Sequence, residues 1–188
     1  SHEPDVQLAV QVLQAWDQRA TVESGAACLY YPFLDRFWPG KFLRDALQDD
    51  LIRLLPAAAP GLNRFDIASF TQEGSPWLAH GELLSKTICA EMSEVVKRVK
   101  KSLGADPQQW RWGDLHKITF AHRLHKHNPW EAMRVGPDEI GGSATTLAMA
   151  MHMGAGPGVA NIDDGEIACR VFHGPAYRLV VDLGDTSQ

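Results

Sequence analysis

Four histidines, His116, His122, His125 and His127, fall within twelve residues of this sequence. An imidazole can ligate zinc, move a proton or satisfy backbone groups, and on a strand His125 and His127 would share a face. Zinc requires three or four converging ligands, and the sequence carries neither an H-E-x-x-H pair nor a cysteine-bearing ligand frame. No metal ligand is therefore assigned. The expectation is a mixture of buried, hydrogen-bonded histidines and exposed ones, with catalytic or binding use left open.

The segment Ile140-Gly141-Gly142-Ser143-Ala144-Thr145-Thr146 offers amides and hydroxyls in a turn that could hold an anion or orient an amide. It lacks the P-loop lysine and the dinucleotide glycine spacing, so a sharp structural turn is the preferred reading and no cofactor is assigned. Ser1 could act as a terminal nucleophile with its own amine as base. Its neighbours His2-Glu3-Pro4 open a helix rather than a buried strand, so no catalytic residue is placed there. Asp163, Asp164 and Glu166 lack a calcium-loop pattern and read as a polar turn, and Gly154 to Gly158 reads as a chain reversal. Cys28, Cys89 and Cys169 are odd in number, widely spaced and set among apolar neighbours, which suits small buried side chains.

These residues need elements to position them. Pro4 suits a first helical turn, and Val6, Ala9, Val10, Leu13 and Trp16 carry a helical stripe expected to run to Thr21–Gly25. Cys28 to Phe37 is a shorter apolar segment, and Leu43, Leu47, Leu51 and Leu54 mark another helix stopped by Pro56. His80 to Leu103 gives the clearest pattern, with Leu84, Ile88, Met92, Val95, Val99 and Leu103 on one face. Glu94 precedes Lys97 and Arg98 at pairing distance, late basic residues suit the helix's negative end, and Gly104 follows as a cap.

Strand character comes later. Lys117 to Phe120, Ala168 to His173 and Tyr177 to Leu183 read as strands, and Leu147 to Met153 alternates as a half-buried one. Trp110 and Trp112 would share a face if they sat on a strand, with core packing favoured over a cleft. The fold class is α+β in one unit over 1–188, with a mainly helical segment at 1–105 and a sheet-forming segment at 106–188.

Composition bounds the partners. The chain has 188 residues, 45% of them hydrophobic and 22% charged, as in an ordinary globular protein. A net charge of -5 gives a nucleic-acid backbone no reason to gather on it, and no apolar run is long enough to span a bilayer. Nucleic acid and membrane insertion are both excluded as expectations.

From Trp110-Arg111-Trp112-Gly113-Asp114-Leu115-His116 through Lys117-Ile118-Thr119-Phe120-Ala121-His122-Arg123-Leu124, the chain resembles the later β-chain region of penicillin acylases. Gly141-Gly142, Gly174 to Leu183, Leu13, Trp16-Asp17 and Arg19 extend the resemblance over most of the chain. It implies a piece of an αββα sandwich from an N-terminal nucleophile amidohydrolase that cleaves side-chain amides of penicillins, acyl-homoserine lactones or similar molecules. In such enzymes the nucleophile stands at the β-chain start, well before the matched region. The resemblance therefore assigns no catalytic residue here, and implies an inactive isolated chain, the remaining enzyme segments as partners, and an exported or periplasmic parent. On this basis Trp112 and Phe120 should be buried aromatics, His116 or His122 should satisfy backbone groups, and Arg178 and Asp182 should serve as polar anchors. A noncatalytic module for a small molecule or protein is the alternative.

Overall fold

The computed structural model describes residues 4–36, 73, 81–122, 134–144, 146–152 and 167–174. Ser1, His125, His127, Asp163, Asp164, Glu166, Arg178 and Asp182 lie outside them, as do the expected helix at 43–54, the turn at 154–158 and the strand at 177–183. The described elements form a mixed α+β structure of helices and a four-stranded sheet.

Helix α1 covers Pro4–Gln14, α2 covers Ala27–Arg36 and α3 covers Gly81–Leu103. The stripe seen in the sequence is the face that α3 buries: Leu84, Met92, Val95 and Val99 join Ala9, Leu29 and Phe33 in one core. Glu94 pairs with Arg98 one turn on, at 2.7 Å, and Gly104 leaves the helix at φ +95°, a conformation that costs glycine nothing. Near the same end Lys100 reaches back to Asp5 at 2.6 Å, tying the basic end of α3 to the acidic first turn of α1.

Helix α1 stops at Gln14, short of the expected Thr21–Gly25. Trp16 consequently leaves the helical stripe. Its indole Nε1 donates to the Arg19 carbonyl at 2.9 Å, and the Asp17 carboxylate accepts from the Arg19 amide at 2.9 Å, so side chains supply the hydrogen bonds a longer helix would have made.

A 3-10 turn at Pro107–Gln109, capped by Asp106, leads into α4 at Trp112–Leu115. Trp110 and Trp112 therefore do not sit on a strand and do not share a strand face. The two indoles are held by separate bonds, Trp110 Nε1 to the Gly104 carbonyl at 2.8 Å and Trp112 Nε1 to the Gly142 carbonyl at 2.9 Å. Both are buried, so neither lines a cleft.

Strands β1 (Lys117–Ala121), β2 (Arg134–Glu139), β3 (Met151–His152) and β4 (Val171–His173) pair in the order β2-β1-β4-β3. The β1/β2 and β3/β4 pairs are antiparallel, and β1/β4 is parallel with Ile118 opposite Val171. Phe120 faces Val135 across the strands, and both are exposed, at 62% and 64%. That overturns the expected burial of Phe120. A bulge between Ile118 and Phe120 breaks the register that strict alternation assumes. The alternating run from Leu147 also shrinks: residues 146–148 form a bend with Leu147 fully exposed, and among its described residues only Met151 and His152 pair.

Candidate functional site

The motif residues converge on a buried aromatic and imidazole cluster between α2, α4 and β3. The α4 turn carries Trp112 and places His116 at its cap, whose amide donates to the Trp112 carbonyl at 2.8 Å. Four residues apart on a helical turn, the two rings stack, with centroids 4.4 Å apart and planes at 15°. His152 on β3 meets both edge-on, at 5.1 Å from His116 and 5.5 Å from Trp112. Tyr31 of α2 closes the group at 5.2 Å from Trp112.

His116 clamps two segments that sequence does not join. Its Nδ1 lies 2.7 Å from the Ile140 carbonyl and its Nε2 lies 3.2 Å from the Ala150 carbonyl. A neutral imidazole has one N–H, so it donates to one of them at a time, and the shorter Nδ1 contact has the better donor distance. Burial pushes the imidazole down to about 4, the Ile140 carbonyl opposes that shift and His152 adds to it. Neutral at physiological pH, this ring hydrogen-bonds one of the two carbonyls and packs against the segment that carries the other.

The glycine-serine turn is knotted by its own groups. Thr146 Oγ1 accepts from the Ser143 amide at 2.8 Å and stands 2.9 Å from the Ala148 carbonyl, while the Ala150 amide donates to Ser143 at 2.9 Å. Gly142 sits at φ +86°, and its amide donates to the Ala20 carbonyl at 2.7 Å. A Cβ there would collide with the Ala148 carbonyl oxygen. The Ile140, Gly142 and Ser143 amides are thus engaged within the fold, as a structural turn requires.

Near α4, Arg111 grips Glu139 through both terminal nitrogens, at 3.1 and 2.7 Å. That hydrogen-bonded pairing raises the guanidinium's pKa and lowers the carboxylate's.

Acyl transfer requires a hydroxyl or thiol paired with a base, and the contacts of Cys28, Thr87, Ser24 and Ser102 are instead to backbone groups. Burial first, then the field of Asp114, pushes the Cys28 thiol up to about 12, and its Sγ faces the Ser24 carbonyl at 3.6 Å. Thr87 Oγ1 donates to the Leu83 carbonyl at 2.8 Å, and Ser24 and Ser102 accept backbone amides at 3.3 and 2.9 Å. Among the described residues no group of three or more His, Cys, Asp or Glu could hold a metal ion. Nor is any described helix long and apolar enough to cross a membrane. His122 is exposed, apart from the His116 cluster.

A groove of about 640 Å³ opens elsewhere, between α1, the 16–26 loop and the 3-10 turn. Leu8, Val12 and Trp16 give it apolar walls, and Asp17, Glu23 and Asp106 supply carboxylates.

The family resemblance offered His116 or His122 as satisfying backbone groups, a role the structure shows for His116, but Tyr31 and His152 were missed because neither lies near the motif along the chain. The groove left one readable trace, the Asp106-Pro107 start of a capped turn.

No curated protein matches this chain. The family model described as penicillin amidase matches residues 2–188. With nearly the whole sequence covered, and the motif residues forming the buried joint of the described fold, this chain belongs to the penicillin amidase family.

Proposed function

We propose that this chain serves an N-terminal nucleophile amidohydrolase that cleaves side-chain amides, in the class of penicillins and N-acyl-homoserine lactones, as scaffold rather than as catalytic centre. One observation carries the reading: Trp112 Nε1 donates to the Gly142 carbonyl, and the buried His116 ring lies between the Ile140 and Ala150 carbonyls with its one N–H given to one of them. Acyl transfer needs an activated nucleophile and oxyanion donors, and a ring held between two carbonyls is available for neither task. Under this proposal the sheet contributes to an αββα sandwich, the other enzyme segments are the partners, and the parent works in the periplasm or outside the cell. A noncatalytic binding module built on the same fold is the second reading, favoured by the groove beside Trp16.

Amine release from chromogenic N-acyl anilides and an N-acyl-homoserine lactone tests the proposal on two samples, the 188-residue chain and the product of the gene's whole reading frame. The expected result is release from the second sample alone. Turnover by the 188-residue chain that disappears in Ser1→Ala would place the reaction at Ser1, and inactivity of the whole product on every substrate would favour the binding module.

A further inference from the structure

We propose that the groove beside Trp16 is a docking site for a polypeptide segment that alternates apolar side chains with Lys or Arg. Its volume of about 640 Å³ lies within the roughly 300–1,000 Å³ range of ligand clefts. Three stretches that are distant along the chain build it. Leu8 and Val12 of α1 are partly buried against the core and present a firm apolar wall. Trp16 adds an aromatic surface whose position is held by its Nε1 bond to the Arg19 carbonyl and by ring contact with Tyr30 at 5.2 Å. The 106–108 turn closes the far side, held by the Asp106 carboxylate accepting from the Gln108 amide at 3.0 Å.

Charge decides what fits. Asp17, Glu23 and Asp106 line the groove and are exposed, and among the described residues no Lys or Arg lines it. Arg111, a cation whose field reaches Glu23, is engaged by Glu139 through two hydrogen bonds, so it does not neutralise the groove by direct pairing. An apolar wall with a negative rim favours a ligand that carries both greasy and cationic side chains, and aromatic surface adds to the attraction for a cation. The groove is open rather than enclosed, which suits a chain laid across it better than a small molecule needing burial on most sides. The loop that forms the rim is already set: Gln18 holds φ +63° between Asp17 and Arg19, which are themselves hydrogen-bonded. The inference stands apart from the amidohydrolase reading, since it uses none of that reaction's groups.

Fluorescence anisotropy of the full chain with a labelled decapeptide of alternating Leu and Lys tests it, against a Leu/Glu peptide and n-octylammonium. The Leu/Lys peptide should bind, weaken with added salt, and lose about 3- to 10-fold in affinity when Glu23→Gln and Asp106→Asn are combined, the scale of two exposed charge pairs. Asn retains the capping acceptor, so the 3-10 turn survives. Ala15→Arg, at an exposed groove position beyond α1, should abolish binding while circular dichroism stays unchanged. Equal binding of the Leu/Glu peptide, or insensitivity to both variants, would overturn the proposal. So would binding of octylammonium without the peptide, which would make the groove a site for free amphiphilic amines.

Discussion

Trp112 lies flat against His116, centroids 4.4 Å apart, and the two side chains reach opposite ways along one segment, to the carbonyls of Gly142 and Ile140. Ile140 in turn donates its amide to the His116 carbonyl at 3.1 Å. The stack is thus fastened to the 140–142 segment by both side chains and by backbone. A joint of this kind stabilises through packing and through polar groups that would be costly to strand.

Removing the imidazole should show that cost. His116→Ala leaves a cavity under Trp112 and deprives the Ile140 carbonyl of its side-chain donor, for a destabilisation of about 2–4 kcal/mol. Urea unfolding measures it, and a loss under about 1 kcal/mol would mean the bridge is dispensable.

The same ring makes stability depend on pH. Burial lowers the His116 pKa from 6.5 to about 4, so between those values the unfolded chain binds the extra proton and folding weakens as pH falls. The contribution is complete above 6.5 and is lost on descent through about 4, with up to about 3 kcal/mol at stake. His116→Gln keeps a donor but does not titrate. Its unfolding free energy should fall less steeply across this window than that of the native chain, and parallel slopes would assign the acid sensitivity to other groups.

Gly142 should resist substitution. Its φ of +86° and the Ala148 carbonyl facing its Cα both penalise a side chain, so Gly142→Ala should destabilise by at least about 2 kcal/mol. Gly81→Ala is the control, because open space surrounds that position. Thermal denaturation that ranks the two variants equally would contradict the described turn.

Thiol chemistry offers a test of the core. Cys28 and Cys169 are buried, Cys89 is partly exposed, and burial drives the Cys28 pKa up to about 12. Scarce thiolate and blocked access together slow modification. At pH 8 a disulfide reagent should label Cys89 first, with the other two reacting only after denaturation; rapid labelling of Cys28 would show that α2 is not packed as described.

Along the sequence, local pattern was a sufficient guide where local forces dominate. Helix α3, its Glu94–Arg98 pair and its Gly104 cap all follow from spacing of 3.6 residues and from glycine's tolerance of positive φ. The strand at 117–121 and the turn around Gly141-Gly142 were legible for the same reason. Strand β2, Arg134–Glu139, was not: it is largely exposed, includes Gly136 and Pro137, and owes its strand state to pairing with β1.

The aromatic joint shows where that legibility stops. Sequence determined that Trp112 and His116 stand four residues apart and that the composition supports an α+β core. Only tertiary structure decided that α1 yields to a side-chain-bonded loop at Trp16, that Phe120 faces outward beside a bulge, and that Tyr31 and His152 meet the stack. Spacing encodes which neighbours a residue has within a turn or a strand, whereas burial and ring contacts depend on which distant segments compete for the same surface.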